Sequence, residues 1–215
     1  MKITWLGHAA FLLETGGLRI VTDPYNTSDG RIRYQPIDMT ADIVTVSHDH
    51  FDHNHVESLS GNPEVVEGAG RTTVKGIGIT GIDAFHDPSH GNERGENVLY
   101  AIEAESIRIC HAGDLGHVLS ADQVQALGPI DIIFIPVGGL YTVDAEQAWQ
   151  VAQDISPKIV IPMHFKTPSL DFPIAPVDGF LEGKTNIVHT QSASFEITRQ
   201  DLPREMQIIV LDHLL

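Results

Sequence analysis

Short apolar runs, several of them with alternating polar positions, recur along the chain and predict a protein rich in β-strands. Residues 2–6, 10–14 and 18–22 are parted by glycines, which predicts three consecutive antiparallel strands. Residues 43–47 form a short apolar run that predicts a buried strand. Further strands are predicted at residues 65–67, 72–75, 77–83, 98–104, 107–110, 130–137, 158–162, 187–189, 194–198 and 207–211.

Two segments have the start signals of helices. Ser120 with Gln123, and Asp144 with Gln147, have the spacing of a capping box. After Asp144 an amphipathic stripe recurs at helical spacing and ends before Pro157, and its members are Ala145, Ala148, Trp149, Ala152 and Ile155. Strands first, followed by strands that alternate with helices, predict sheets packed between helix layers.

Length and charge narrow the class of protein. The 215 residues predict one domain over residues 1–215. The chain has 13 Lys and Arg against 29 Asp and Glu, and this net charge of −16 excludes a broad surface for nucleic acid or anionic membranes. A single cysteine, Cys110, excludes an internal disulfide. Because no signal peptide or long apolar stretch is evident, we expect a cytoplasmic protein without a membrane contact.

The strongest chemical signal is the string His48-Asp49-His50-Phe51-Asp52-His53, which directly follows a predicted strand. Residues i and i+2 that leave a strand point to one side, so His48 and His50 can share one metal ion. Asp52 and His53 come just after, where a turn can bring them toward a second ion. With twelve histidines and one cysteine in the chain, the string predicts a site built from imidazole and carboxylate.

Three more candidate ligands follow predicted strands. Asp114, between Gly113 and Gly116, is a carboxylate that can bridge two ions, and the glycines allow a close approach of the backbone. His86 and His164 each stand where a buried strand gives way to a loop. The predicted metal ligands are therefore His48, His50, Asp52, His53, His86, Asp114 and His164. Two divalent ions are expected, and Zn²⁺ suits this set best, although Mn²⁺, Fe²⁺ and Ni²⁺ accept similar ligands.

These motifs, together with Pro162-Met163-His164, resemble those of the metallo-β-lactamase-fold hydrolases. The segment Trp5-Leu6-Gly7-His8-Ala9-Ala10-Phe11 and the pair Asp23-Pro24 are similar to the small stand-alone branch related to L-ascorbate-6-phosphate lactonase. The resemblance runs from residue 1 to about residue 211. It implies an α/β fold: a four-layer αββα sandwich of two mixed β-sheets flanked by helices, with a dinuclear site at one sheet edge.

The resemblance also implies a role for each ligand. His48, His50 and His86 would bind the first ion. Asp52, His53 and His164 would bind the second ion, and Asp114 would bridge the two.

We expect a dinuclear metal-dependent hydrolase in which a metal-bridging hydroxide cleaves a small ester, lactone or phosphoester. Asp52 and Asp114 are the predicted catalytic residues. One alternative is a phosphodiesterase or nuclease that acts on nucleotides, although the negative charge excludes long nucleic acids. Another is a non-catalytic metal-binding protein with a blocked cleft. The expected partner is a small-molecule substrate, which a cationic centre would favour if anionic, and the sequence is compatible with an oligomer.

Several residues stay open at this point. His8 and His117 are candidates for lining the cleft or supporting a ligand, and Asp23 is a candidate for orienting a ligand imidazole. His111 is a candidate metal contact in place of His86. The substrate is expected to be selected by residues 24–40, 88–97 and 165–176. The side chains to test for binding a substrate anion are Arg31, Arg33, Tyr34, Arg94 and Lys166.

Overall fold

Two β-sheets pack face to face in the computed structural model, which describes residues 1–214. In this range the first sheet is built from β1 (Lys2–Gly7), β2 (Ala10–Thr15), β3 (Leu18–Thr22), β4 (Ile43–Val46), β5 (Glu64–Glu67) and β13 (Ser194–Glu196). The second sheet is built from β6 (Gly70–Val74), β7 (Ile77–Phe85), β8 (Glu96–Ala104), β9 (Ile107–His111), β10 (Ile132–Pro136), β11 (Ile159–Met163), β12 (Ile187–His189) and β14 (Gln207–Val210). Every predicted strand is present, with ends that shift by at most two residues.

Both sheets are mixed. The six-stranded sheet has the order β13-β1-β2-β3-β4-β5, with antiparallel pairs up to β3 and parallel pairs from β3 to β5. The eight-stranded sheet has the order β12-β14-β11-β10-β9-β8-β7-β6, and it is parallel from β12 to β9 and antiparallel beyond. The predicted pair of mixed sheets is confirmed.

Side-chain alternation explains how the first sheet is oriented. Ile3 and Trp5 of β1 point into the core between the sheets, whereas Leu6 belongs to a second apolar cluster on the outer face. Strands β10 and β11 are buried at every position, as expected for central parallel strands covered on both faces. The apolar pattern along the chain therefore assigns each strand its faces.

The three α-helices of residues 1–214 are α1 (Ala121–Leu127), α2 (Ala145–Ile155) and α3 (Asp178–Leu181). Helix α1 contacts β7, α2 contacts β10, and α3 packs on α2, so these helices flank the eight-stranded sheet. Both predicted capping boxes are present, at Ser120 and at Asp144. Trp149 lies half-buried with its ring 6.2 Å from that of Phe180, which agrees with its predicted packing role. None of these helices is long and apolar enough to cross a bilayer.

A long loop, residues 23–42, covers the outer face of the six-stranded sheet. Four apolar or aromatic side chains of this loop are buried in the outer apolar cluster, namely Tyr25, Ile32, Tyr34 and Ile37. The Tyr25 hydroxyl donates to the carbonyl of Leu6 at 2.9 Å and ties the loop to the sheet. This packing fixes the polar residues between these anchors at the edge of the sheets.

Four strands end at that edge, directly before the predicted ligands. Strand β4 of the first sheet ends at Val46, and strands β7, β9 and β11 of the second sheet end at Phe85, His111 and Met163. The turns that follow bring side chains from both sheets into one cluster. The metal centre is therefore expected between the two sheets.

Candidate metal centre

The three histidines predicted for the first ion form one group. Their nearest ring nitrogens all lie within 4.8 Å of one another. The ring centroid of His48 is 4.5 Å from that of His50 and 4.8 Å from that of His86. The turn after β4 supplies the first two residues and the end of β7 supplies the third, so the sandwich itself creates the group.

The residues predicted for the second ion form a neighbouring group. Ligand atoms of Asp52, His53 and His164 lie within 4.8 Å of one another, and His8 joins them. His8 Nε2 is 3.1 Å from Asp52 Oδ2, and the His8 side chain is fully buried. His8 and His164 both have positive φ angles, of 53° and 49°, which are uncommon for residues other than glycine. The backbone is thus held in an unusual conformation at two positions of this group.

Asp114 lies between the two groups. Its Oδ2 is 3.2 Å from His86 Nε2 on one side and 3.2 Å from His164 Nε2 on the other. Its Oδ1 is 3.3 Å from His53 Nε2. Only 2% of Asp114 is exposed. This position between members of both groups is the one expected of a bridging carboxylate.

The backbone around Asp114 is fixed by close packing. The Asp114 N–H donates to Asn97 Oδ1 at 2.9 Å, and Asn97 Nδ2 donates to the carbonyl of Ala112 at 3.0 Å. Gly113 has a φ of 54°, and a Cβ there would overlap Asn97 and Ser47. Sequence analysis did not find Asn97, because a single asparagine in a strand has no motif that marks it as buried.

Asp23 supports one ligand from each group. The Nδ1–H of His53 donates to Asp23 Oδ2 at 2.9 Å. Ser47 donates to Asp23 through its N–H, at 2.8 Å, and through its hydroxyl. His48 Nδ1 lies 2.9 Å from the Ser47 oxygen and donates to it. These bonds turn the Nε2 atoms of both histidines toward the centre, as carboxylates do behind the ligands of many metal sites.

The charges of the site are tightly coupled. Burial opposes ionisation of Asp114, but the neighbouring His164 and His53 outweigh it and hold the pKa of Asp114 well below its usual range. Burial likewise opposes a charge on His53, yet Asp114 and Asp52 raise its pKa well above 6.5. Burial lowers the pKa of His48 to about 3, with His53 as a further cause. Without metal, the cluster therefore presents ionised Asp114 beside a protonated His53 and a neutral His48.

Unpartnered buried atoms test whether this cluster fits a metal. His48 Nε2, His53 Nε2 and Asp114 Oδ1 are all buried and make no hydrogen bond. An unpaired buried polar atom costs about 1–3 kcal/mol, so three of them in one place call for a ligand. Imidazole nitrogen and carboxylate oxygen are the donors that zinc accepts. The residues present fit divalent metal ions.

Two of the histidines left open do not join the site. His111 is buried, and its Nε2–H donates to the carbonyl of Ala9 at 2.7 Å while its Nδ1 accepts from the N–H of Gly113. His117 accepts from the Phe85 N–H at 3.2 Å and donates to the carbonyl of Val118. Both rings therefore serve the structure around the site.

A cavity of about 340 Å³ opens onto the metal cluster. Its walls combine members of both ligand groups with two arginines and three aromatic rings, and they comprise Arg31, His50, Phe51, Asp52, His86, Arg94, Asp114, Tyr141, His164 and Phe172. Arg33 points elsewhere and donates to Asp171 at 2.9 Å. Lys166 donates to the carbonyl of Phe172 at 2.9 Å. Of the predicted anion-binding side chains, Arg31 and Arg94 reach the cavity.

Known proteins are similar to this chain in sequence and in fold. A family model described as the beta-lactamase superfamily domain matches residues 2–164. A structure from Thermotoga maritima, assigned to the Zn-dependent hydrolases of the metallo-beta-lactamase superfamily, is 39% identical with a TM-score of 0.82, and the match covers 98% of this chain and 97% of that chain. A UPF0173 metal-dependent hydrolase of Thermococcus onnurineus is 30% identical over 192 residues, which are 78% of this chain and 85% of that protein.

The metallo hydrolase Igni18 of Ignicoccus hospitalis shares the fold, with 23% identity, a TM-score of 0.57, and coverage of 80% of this chain and 85% of that chain. The fold and the relatives define an enzyme of the metal-dependent hydrolase class. The chain belongs to the metallo-β-lactamase superfamily. The likeness to L-ascorbate-6-phosphate lactonase stays a prediction.

Proposed function

We propose that this chain is a dinuclear hydrolase that uses water to cleave a small ester, lactone or phosphoester. The observation that supports it most is the position of Asp114, whose carboxylate touches His86 of one ligand group and His53 and His164 of the other. We assign His48, His50 and His86 to one ion, Asp52, His53 and His164 to the second, and Asp114 to both. Two divalent ions in these groups, zinc by preference, would supply Lewis acidity that polarises the scissile bond and activates water.

Side chains around the cavity would position the catalytic carboxylate and transfer the proton. Burial lowers the pKa of His8 to about 4, so at neutral pH its imidazole is uncharged, and we assign its Nε2–H as the donor to Asp52 Oδ2. This contact fixes the Asp52 carboxylate, which also lines the cavity. In our assignment one Asp52 oxygen would bind the second ion, and the other accepts the proton that water gives up on attack, which then leaves with the alcohol product. Water's oxygen forms the new bond to carbon or phosphorus, and the ester bond breaks.

An open cavity favours catalysis over passive metal binding. The cavity of about 340 Å³ reaches Asp52, His86, Asp114 and His164, whereas a non-catalytic protein with these ligands would be expected to have a blocked cleft. A volume of this size accommodates a small molecule. A panel of chromogenic esters, lactones and phosphodiesters with defined metals would identify the bond that is cleaved, and nucleotide phosphodiesters belong in that panel.

The substitution Asp114→Asn tests the assignment. We expect bound metal to fall from about two ions per chain toward one, and kcat/KM to fall by about 100-fold or more, because the bridging charge is lost. Metal content by mass spectrometry and hydrolysis rates measure the two effects. Asp122→Asn, at an exposed position of α1, is the matched control and should leave both unchanged.

Two outcomes would contradict the proposal. The first is purified protein that neither contains nor takes up about two metal ions. The second is an Asp114→Asn variant that folds normally, as judged by circular dichroism, and hydrolyses substrate at the original rate.

A further inference from the structure

Two arginines face the metal cluster across one cavity. Arg31 comes from the long loop that covers the first sheet, and Arg94 comes from the loop between β7 and β8. The only acidic side chains among the described residues that line this cavity are Asp52 and Asp114, which we assign to the metal ions. Each arginine also has a neighbouring carboxylate outside the cavity lining, Asp29 at 2.7 Å from Arg31 and Glu93 at 3.6 Å from Arg94. In a chain of net charge −16, two cations at one cavity still make its wall less repulsive to an anion than the rest of the surface.

Aromatic rings hold Arg31 in place. Its guanidinium carbon lies 5.3 Å from the centroid of the Phe51 ring and 5.1 Å from that of Phe172. A cation over aromatic faces is attracted by them, and the planar guanidinium stays near the rings. Arg31 Nε donates to Asp29 at 2.7 Å, and no described residue accepts from the terminal amino groups. Those two groups remain available to a ligand.

Arg94 is held by a different set of contacts. Its guanidinium carbon lies 5.6 Å from the centroid of Tyr141. Its backbone N–H donates to Asp87 Oδ2 at 2.8 Å, and the same carboxylate also accepts from Ser89, Gly91 and Glu93. Because the buried Asp87 carboxylate accepts hydrogen bonds from several residues of this loop, the backbone at Arg94 is fixed.

The adjoining cavity shows where an anion would not go. It measures about 590 Å³, borders His48 and His50, and is lined by Asp49, Glu67 and Glu96 with Arg94 as its only Lys or Arg among the described residues. Three carboxylates there would repel an anion. An anionic group is therefore directed to the side where Arg31 and Arg94 stand together.

We propose that Arg31 and Arg94 are specificity residues that bind a separate anionic group, a carboxylate or a phosphate, on a small ester or lactone substrate. The planar donors of arginine match the oxygens of both anions. This inference rests on the proposed hydrolase function, since it describes the substrate of the same site. The aromatic rings beside the arginines would contact the apolar part of the same substrate.

A matched pair of esters tests the proposal on the metal-loaded protein. The anionic ester is 4-nitrophenyl hydrogen adipate, and the neutral ester of equal acyl length is 4-nitrophenyl hexanoate. We expect the ratio of their kcat/KM values to favour the anionic ester and to fall about tenfold in Arg31→Gln and in Arg94→Gln, because one charged hydrogen-bond partner is lost. Arg31→Lys, which keeps the charge but not the planar fork, should lie in between.

Arg33→Gln is the control, since Arg33 lies two residues away in the same loop and binds Asp171 outside the cavity. It should leave the ratio unchanged. Calorimetric titration with succinate and with inorganic phosphate gives a readout independent of hydrolysis and distinguishes the two anions. Dissociation constants should rise about tenfold in Arg31→Gln and stay constant in Arg33→Gln.

The outcomes separate this inference from the proposed function. If neither ester nor any member of the substrate panel is hydrolysed, but succinate or phosphate binding weakens in Arg31→Gln and not in Arg33→Gln, the arginine site stands and the hydrolase proposal falls. If both esters are hydrolysed with the same ratio by the original protein and by all variants, and anion binding is also unchanged, the arginine site is overturned and the hydrolase proposal stands.

Discussion

Asp23 is the residue whose contacts reach furthest through the site. Its carboxylate accepts from His53 directly and is linked to His48 through Ser47, so one side chain orients a ligand of each ion group. Asp23 has a φ of 41° and precedes Pro24, a backbone conformation that aspartate and asparagine tolerate better than most residues. An asparagine can therefore replace it with little backbone cost.

We predict that Asp23→Asn weakens metal binding by about 10- to 100-fold, because the amide orients His53 and Ser47 less strongly than a carboxylate does. Competition with a chromogenic chelator measures this change. Asp38→Asn is the control, since Asp38 lies exposed in the same loop. Equal metal affinities of the two variants would show that Asp23 has no part in holding the ligands.

The site residues that directly follow a strand could be predicted from the sequence. Residues whose role depends on a contact with a distant part of the chain could not. His48, Asp114 and His164 follow buried strands, and their convergence was predicted. Asn97 contacts Asp114 across 17 positions, which follows only from the pairing of β8 with β9. Arg31 and Arg33 are two positions apart, and their different directions depend on the packing of their loop.

The loop after β9 approaches the loop after β7 so closely that only glycine fits at one position. A Cβ on Gly116 would overlap the carbonyl carbon of His86 and the nitrogen of Asp87, which are backbone atoms that cannot turn aside. The Gly116 N–H also donates to the carbonyl of Phe85 at 2.9 Å. This contact sets the distance between Asp114 and His86.

Gly116→Ala is therefore predicted to destabilise the fold by about 3 kcal/mol, since overpacking against backbone forces the two loops apart. Metal affinity should fall as well. Urea unfolding and chelator competition measure the two effects. Gly78→Ala is the matched control, because a Cβ on Gly78 meets its nearest neighbour, Glu103 Cβ, at 3.8 Å. A Gly116→Ala variant as stable as Gly78→Ala would contradict the steric argument.

Helices and strands were predicted correctly where a local hydrophobic pattern or a capping residue determines them. The strand runs have a clear pattern, and the capping residues Ser120 and Asp144 mark the starts of α1 and α2. Helix α3 was not predicted, because it spans only four residues and Val177, the residue before it, makes no side-chain cap hydrogen bond. The buried residues of the 23–42 loop were also not predicted, since Tyr25, Ile32 and Tyr34 follow neither a helical nor a strand period.

Across the whole molecule, the buried histidines predict how stability depends on pH. In the metal-free protein, burial lowers the pKa of His8 to about 4 and that of His48 to about 3, against 6.5 in the unfolded chain. The folded state thus favours the neutral form of both. Their contribution to stability is complete above pH 6.5 and is lost as the pH falls below it. His53, whose pKa is raised, contributes a smaller slope of opposite sign, because it is protonated in the folded state while the unfolded chain still takes up protons just below pH 6.5.

We therefore predict that the free energy of unfolding of the chelated protein decreases by about 2 kcal/mol or more from pH 6.5 to 5.5. His8 and His48 each contribute up to about 1.4 kcal/mol per pH unit, and His50 and His111, whose pKa values burial also lowers, add to the slope. Urea unfolding at several pH values measures the slope. His8→Gln should reduce the slope, because one of the contributing imidazoles is removed. An unfolding free energy that stays constant over this range would contradict the burial of neutral imidazoles.

The antiparallel neighbours β1, β2 and β3 were predicted, but the order of the other strands in each sheet could not be predicted from the sequence. The pairing of β1 with β13, almost two hundred residues apart, depends on how the whole sandwich closes. The positions of candidate ligands after strands nevertheless predicted the site, because polar residues that follow a buried strand lie at an edge of the sheet.

Because the ligands come from both sheets, the proposed ions would also lower the conformational entropy of the unfolded chain. His48 follows a strand of one sheet and His164 a strand of the other, so ions held by Asp114 and these histidines would act as a cross-link that closes a loop of more than one hundred residues. A covalent cross-link around a loop of about 100 residues removes roughly 5 kcal/mol of conformational freedom from the unfolded chain. In a chain whose single cysteine, Cys110, is buried and unpaired, this centre is where such a cross-link would form.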